Sequence, residues 1–88
     1  MIETGKPIRL SGHAHDQLQF GGGTEIEVVA AIRAEPCQPA DLNRLECRRD
    51  FLFDAEWNGK HYAIKQVRQI FVDEISEIVV VTVYVYYF

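Results

Sequence analysis

Few side chains in this sequence are equipped for chemistry. His13 and His15 stand one residue apart in Ser11-Gly12-His13-Ala14-His15, and His61 lies just past an Asn-Gly pair. Cys37, Cys47, Lys65 and Tyr84 complete the set. Histidine is the side chain best placed to titrate near neutral pH, so His13 is a candidate acid or base. The pair His13 and His15 does not suit a metal, because i and i+2 point apart on a helix whereas zinc-binding pairs take i and i+4. Cys37, Cys47 and His61 have no spacing that makes them a third ligand. No metal and no cofactor is expected. Gly21-Gly22-Gly23 could cradle an anion at the start of a helix. It lacks the preceding strand and the Gly-Lys-Ser/Thr ending of a phosphate loop, so it reads as a turn.

The elements that must position these groups fit one domain, residues 1–88. The composition is 48% hydrophobic and 25% charged, which excludes general disorder. A formal charge of −4 disfavours non-specific nucleic-acid binding, which rests on Lys and Arg against phosphate. RNA stays a possible partner only if the nine basic residues cluster. Two cysteines and no charged-apolar-small leader point to reduced thiols in the cytoplasm. The longest apolar run, Ile78 to Phe88, is broken by Thr82. It is far short of the ~20 residues that span a bilayer, so no membrane partner is expected.

Ile8 and Leu10 alternate beyond Pro7 as a short edge strand. Ser11 is an N-cap, and Ala14 with Leu18 forms the i, i+4 stripe of a short helix that the glycines end. Thr24-Glu25-Ile26-Glu27 is a capping box opening a second helix to about Ala34. Glu35-Pro36 stops it, and a loop runs to Asn43. The remainder reads as a three-stranded antiparallel meander whose first turn is Asn58-Gly59. The fold class is therefore α+β: a short N-terminal strand, two helices, then the meander, with the helices on one sheet face.

Counting outward from Asn58-Gly59 pairs Phe53 with Ile64 and Phe51 with Gln66, which sends Ile64, Ile70 and Val72 to the core. A second turn near Asp73–Ser76 adds Val79, Val81, Val83 and Val85 to that side. Arg49, Gln66 and Arg68 are the misfits, marking either the limit of helix cover or a bulge that reverses the register. The opposite, open face then carries Arg48, His61, Lys65, Tyr84, Tyr86 and Phe88, with Lys65 directly opposite Tyr84. That face is too aromatic for a hydration surface.

The run "SGHAHDQL…GGGTEIEVVAAI", followed by "IVVVTVY", resembles a family of small bacterial domains of unknown function. That family is similar in turn to the RelE/ParE/BrnT-like toxins. The matching positions are Ser11, His13, Ala14, Leu18, Gly22, Thr24, Val28 and Ile32, then Val81 to Tyr84. The resemblance implies a RelE-like α+β fold and a toxin-like domain acting on RNA or translation through the open sheet face. By that analogy the candidates are Lys65, Tyr84, Tyr86 and Arg48, with a possible antitoxin-like partner. The candidate catalytic residues are then Lys65, Tyr84 and, for its titration range, His13; the candidate binding residues are Arg48, Tyr86 and, from their place on the open face, His61 and Phe88. Asp50, Asp54 and Glu56 lie beside these few cations, and a scissile phosphate needs several. Whether the domain is an enzyme is therefore open. The alternative is a non-catalytic interaction module, self-associating or partner-binding through the aromatic last strand.

Overall fold

The computed structural model describes residues 6–34 and 36–88. Glu35, half of the expected Glu35-Pro36 stop signal, lies outside the described residues. The elements run β1 (Ile8–Leu10), α1 (Gly12–Phe20), α2 (Glu25–Ala34), β2 (Gln38–Ala40), β3 (Arg44–Trp57), β4 (Lys60–Asp73) and β5 (Ile78–Tyr87).

Both helices form where their capping residues stand. Ser11 Oγ accepts from the Ala14 amide at 3.1 Å. Thr24 and Glu27 close the capping box from both sides, at 2.9 and 3.3 Å. At the end of α1, Gly23 N–H donates to Leu18 O and Gly22 N–H to Gln19 O. This is a Schellman closure with Gly22 at φ +76°, a conformation only glycine adopts without cost.

The sheet is not the expected three-stranded meander. It has five strands in the order β1-β5-β4-β3-β2, and β1 runs parallel to β5. The parallel pair arises because α1 and α2 carry the chain across the sheet before the antiparallel strands begin. β2 adds a short antiparallel edge on Arg44–Glu46.

The register also differs from the counted one. Asn58 and Gly59 adopt the positive φ values, 51° and 80°, of a type I′ turn, so Trp57 pairs with Lys60 as expected. Between Leu52 and Ala55 a bulge then places Phe53 and Asp54 opposite Ala63 alone, with Asp54 at φ 44°. Beyond it Phe51 pairs with Lys65 and Cys47 with Gln69. A second shift, between Ile70 and Phe71, leaves Val81 as the extra residue on β5.

The bulge at Phe53-Asp54 inverts the middle strand. Val67, Gln69 and Phe71 of β4 face the core and are fully buried, not Ile64, Ile70 and Val72. Of the valines assigned to the core side, Val83 and Val85 pack there, while Ile78 and Val80 take the places expected of Val79 and Val81. Ala14 and Leu18 of α1 and Val28 and Ile32 of α2 close over Val67, Phe71, Val80 and Val83. Each large apolar side chain so buried contributes about 1.5–3 kcal/mol.

Cys37 and Cys47 are joined in a disulfide, correcting the expectation of two free thiols. The bridge clamps the entry to β2 onto β3, with Cys47 buried. A bonded pair removes the support that free thiols lent to a cytoplasmic location. Among the described residues, no helix is long and apolar enough to cross a membrane.

Candidate functional site

The candidate residues are distributed over separate surfaces. His13 is exposed on α1. His61, near the tip of the β3–β4 hairpin, pairs with Asp54 at 2.9 Å, and both side chains are largely exposed. His15 borders a shallow cleft of about 500 Å³ with Arg9, Asp16 and Glu25. Among the described residues, no group of three or more His, Cys, Asp and Glu side chains gathers in a metal-holding cluster.

Lys65 is not on the open face. The inverted register turns it under the helices, where its residue is 7% exposed. Its Nζ donates to Gly22 O at 2.7 Å and lies 2.9 Å from Glu27 Oε1. The ammonium also sits 5.9 Å from the Phe53 ring centroid. Around it, Tyr87 stacks on Trp57 at 5.0 Å and meets Phe53 edge-on at 5.1 Å. Tyr87 OH donates to Gly21 O at 2.7 Å. Burial and the nearby Glu27 carboxylate raise the Tyr87 hydroxyl above its ordinary pKa. The triple glycine is thus docked on a lysine and a tyrosine, both of which bond its carbonyls. A Cβ at Gly22 would lie 2.5 Å from the Trp57 ring. This cluster holds the inter-helix turn to the sheet; it leaves no free amine for a substrate.

Tyr84 does lie on the open face, paired with Arg68 rather than Lys65. Arg68 is the polar centre of that face, and the candidate residues did not include it. Its Nη2 donates to Glu46 Oε2 at 2.5 Å, and its guanidinium stands 5.3 Å from the Tyr84 ring centroid. Hydrogen bonds to Glu46 and Tyr86 hold the Arg68 charge more firmly than usual, and the same contact lowers the Glu46 carboxyl below its ordinary range. Arg48 stands directly across from Arg68, and Gln66 donates to Asp50 at 2.8 Å. Arg48, Gln66, Arg68, Tyr86 and Phe88 border a shallow depression of about 460 Å³. Tyr84 and Tyr86 run nearly parallel at 6.3 Å. The signal that could have found Arg68 was its misfit among core residues in the counted register.

The arrangement therefore separates the three candidate catalytic groups. His13 is on a helix surface, Lys65 is beneath the glycine turn, and Tyr84 is on the far face of the sheet. What it does bring together is Tyr84, Tyr86 and Phe88, 38%, 42% and 57% exposed, with Arg48 and Arg68 alongside. Comparison with protein-family models, curated proteins and solved structures finds no match to this chain. The toxin resemblance accordingly rests on its motif residues alone.

Proposed function

We propose that this domain is a non-catalytic protein-interaction module that presents β5 and the aromatic part of its open face to a protein partner. The carrying observation is the joint exposure of Tyr84, Tyr86 and Phe88 on a strand with no charged residue from Ile78 to Phe88. Such rings supply large contact area with few rotatable bonds, which favours them at interfaces. Arg68 adds a cation held rigid by Glu46. An antitoxin-like protein is one partner class compatible with this surface. A photo-reactive phenylalanine analogue at Tyr84 should cross-link to a discrete protein in the producing cell, whereas one at exposed Leu42 should not. Equal labelling at both positions would end this reading.

A second reading is a toxin-like domain that contacts RNA, favoured by Arg48 and Arg68 beside the near-parallel Tyr84 and Tyr86. Here Lys65 has no catalytic part. Induced expression should arrest bacterial growth, and a joint Arg48→Ala, Arg68→Ala change should relieve the arrest. Unimpaired growth and intact RNA in the presence of ribosomes refute it.

A further inference from the structure

Beyond the residues paired with β1, β5 has an open edge. β1 covers it only along Ile78–Val80. Ile64 and Phe88 exchange both backbone hydrogen bonds, at 2.9 and 3.0 Å. The alternation of an antiparallel ladder then turns Tyr86 and Tyr84 toward β4, and turns Val83, Val85 and Tyr87 outward. Gln17 Oε1 takes the Val83 amide at 3.0 Å, so α1 caps the edge to that point. For Val85 and Tyr87, no strand lies beyond among the described residues.

The far edge of the sheet is guarded differently. Past β2, β3 carries exposed Arg48 and Asp50 and then bends at the Phe53-Asp54 bulge. Charges and bulges are the usual devices that stop edges from pairing. β5 has neither a charge nor a bulge from Val83 onward. Phe20, 91% exposed, immediately precedes Gly21, which abuts Val85.

We propose that this edge is a homodimer interface in which β5 pairs antiparallel with β5 of a second copy about a two-fold axis at Tyr86. The proposal rests on the interaction-module reading and names its partner. Val85 of each copy exchanges backbone hydrogen bonds with Tyr87 of the other, which uses the four outward groups on each strand. Tyr86 then faces its own counterpart, and Tyr84 faces Phe88 of the second copy. The three exposed aromatics become cross-strand pairs on one face. A second copy fits the charge as well. Two chains of net charge −4 repel overall, so they meet best where neither carries a charge, and Val83 to Phe88 bring no like charges face to face across the axis. The two five-stranded sheets join into one of ten strands. A ribbon this short is smaller than a standard interface, so the aromatic row must contribute and a reversible dimer results.

Sedimentation equilibrium over a broad concentration series should show a reversible monomer–dimer equilibrium. Tyr86→Glu sets two carboxylates against each other at the axis and should weaken the dimer by at least about ten-fold. Tyr86→Cys tests the register directly, because residues facing across a non-hydrogen-bonded pair have Cα atoms about 4.5 Å apart. With Cys37 and Cys47 already bonded, mild oxidation should link Tyr86→Cys into dimers much faster than Leu52→Cys on the other edge. A strict monomer, or a dimer cross-linked equally well through Leu52→Cys, overturns the proposal. If the monomer still cross-links to a different protein from Tyr84, only the identity of the partner falls and the interaction-module reading stands.

Discussion

Replacing Lys65 by methionine distinguishes a structural lysine from a catalytic one. The substitution keeps the unbranched stem of the side chain and removes the ammonium group. In the native protein the ammonium satisfies Gly22 O and Glu27 Oε1 while only 8% of the side chain is exposed. Removing one partner of a buried pair costs roughly 3–5 kcal/mol, because the other charge stays uncompensated. Glu27 retains the Thr24 amide at 2.9 Å and is 18% exposed, so part of that cost is relieved by water. Gly22 O loses its donor, at about 1 kcal/mol. The expected loss is therefore ~2–4 kcal/mol, a large share of the ~5–15 kcal/mol that holds a small domain together. Urea unfolding followed by Trp57 fluorescence measures it directly, since the indole stacks on Tyr87 at the same cluster. Adding Glu27→Gln should recover part of the loss, with a coupling of about 1–3 kcal/mol in the double-mutant cycle. An unfolding midpoint equal to wild type, or a double mutant showing simple additivity, refutes the argument that Lys65 clamps the turn.

Four further outcomes follow from the geometry. Gly22→Ala combines a left-handed φ with a Cβ 2.5 Å from Trp57; it should lower stability by at least ~2 kcal/mol and disturb the near-UV circular dichroism of the indole. Reducing the Cys37–Cys47 bridge frees a loop with a sequence separation of 10; chain entropy puts the loss near ~2.8 kcal/mol, readable as a lower thermal midpoint in the presence of reductant. The acid and alkaline limbs of stability have separate sources. Arg68 depresses the Glu46 carboxyl, so that contribution is complete above the ordinary glutamate value of about 4.3 and is lost as pH falls through the lower folded value. Glu46→Gln should flatten the acid limb of a plot of unfolding midpoint against pH. Tyr87 is raised, so the folded state holds its proton longer and stability declines as pH rises past about 10. Tyr87→Phe should flatten that limb.

Local signals in the sequence carried the helical half. Ser11, the Thr24–Glu27 box and the glycines after Phe20 each satisfy backbone groups within a few residues, so their reading required no knowledge of distant chain. Alternation alone also oriented β3 and the upper part of β5, where Cys47, Val83 and Val85 face the core. β4 was inverted because both its faces carry large apolar residues: Ile64 and Ile70 on one, Val67 and Phe71 on the other. A pattern that fits both ways is settled by chain length between pairings, and that length is altered by a bulge with no strong composition signal. Arg49, Gln66 and Arg68 marked the conflict, and a register reversed by a bulge was one of the two readings they allowed. The parallel pairing of β1 with β5 joins residues some seventy positions apart, beyond any local pattern. The misplacement of Lys65 followed from the same inversion, and with it the expectation of an amine facing Tyr84.

The bulge at Phe53-Asp54 gives this sheet a parity. One surplus residue in β3 decides which of two amphipathic readings of β4 is turned inward, and therefore whether Lys65 or Arg68 meets solvent. Substitutions along β4 act one side chain at a time. Removing a single residue at the bulge would instead shift the register of every β3–β4 pair beyond it in one step. A site built on β4 is thus tuned by point changes and rewritten by a change in length. In this domain the count of residues between Leu52 and Ala55 carries as much information about the outer surface as the residues displayed on it.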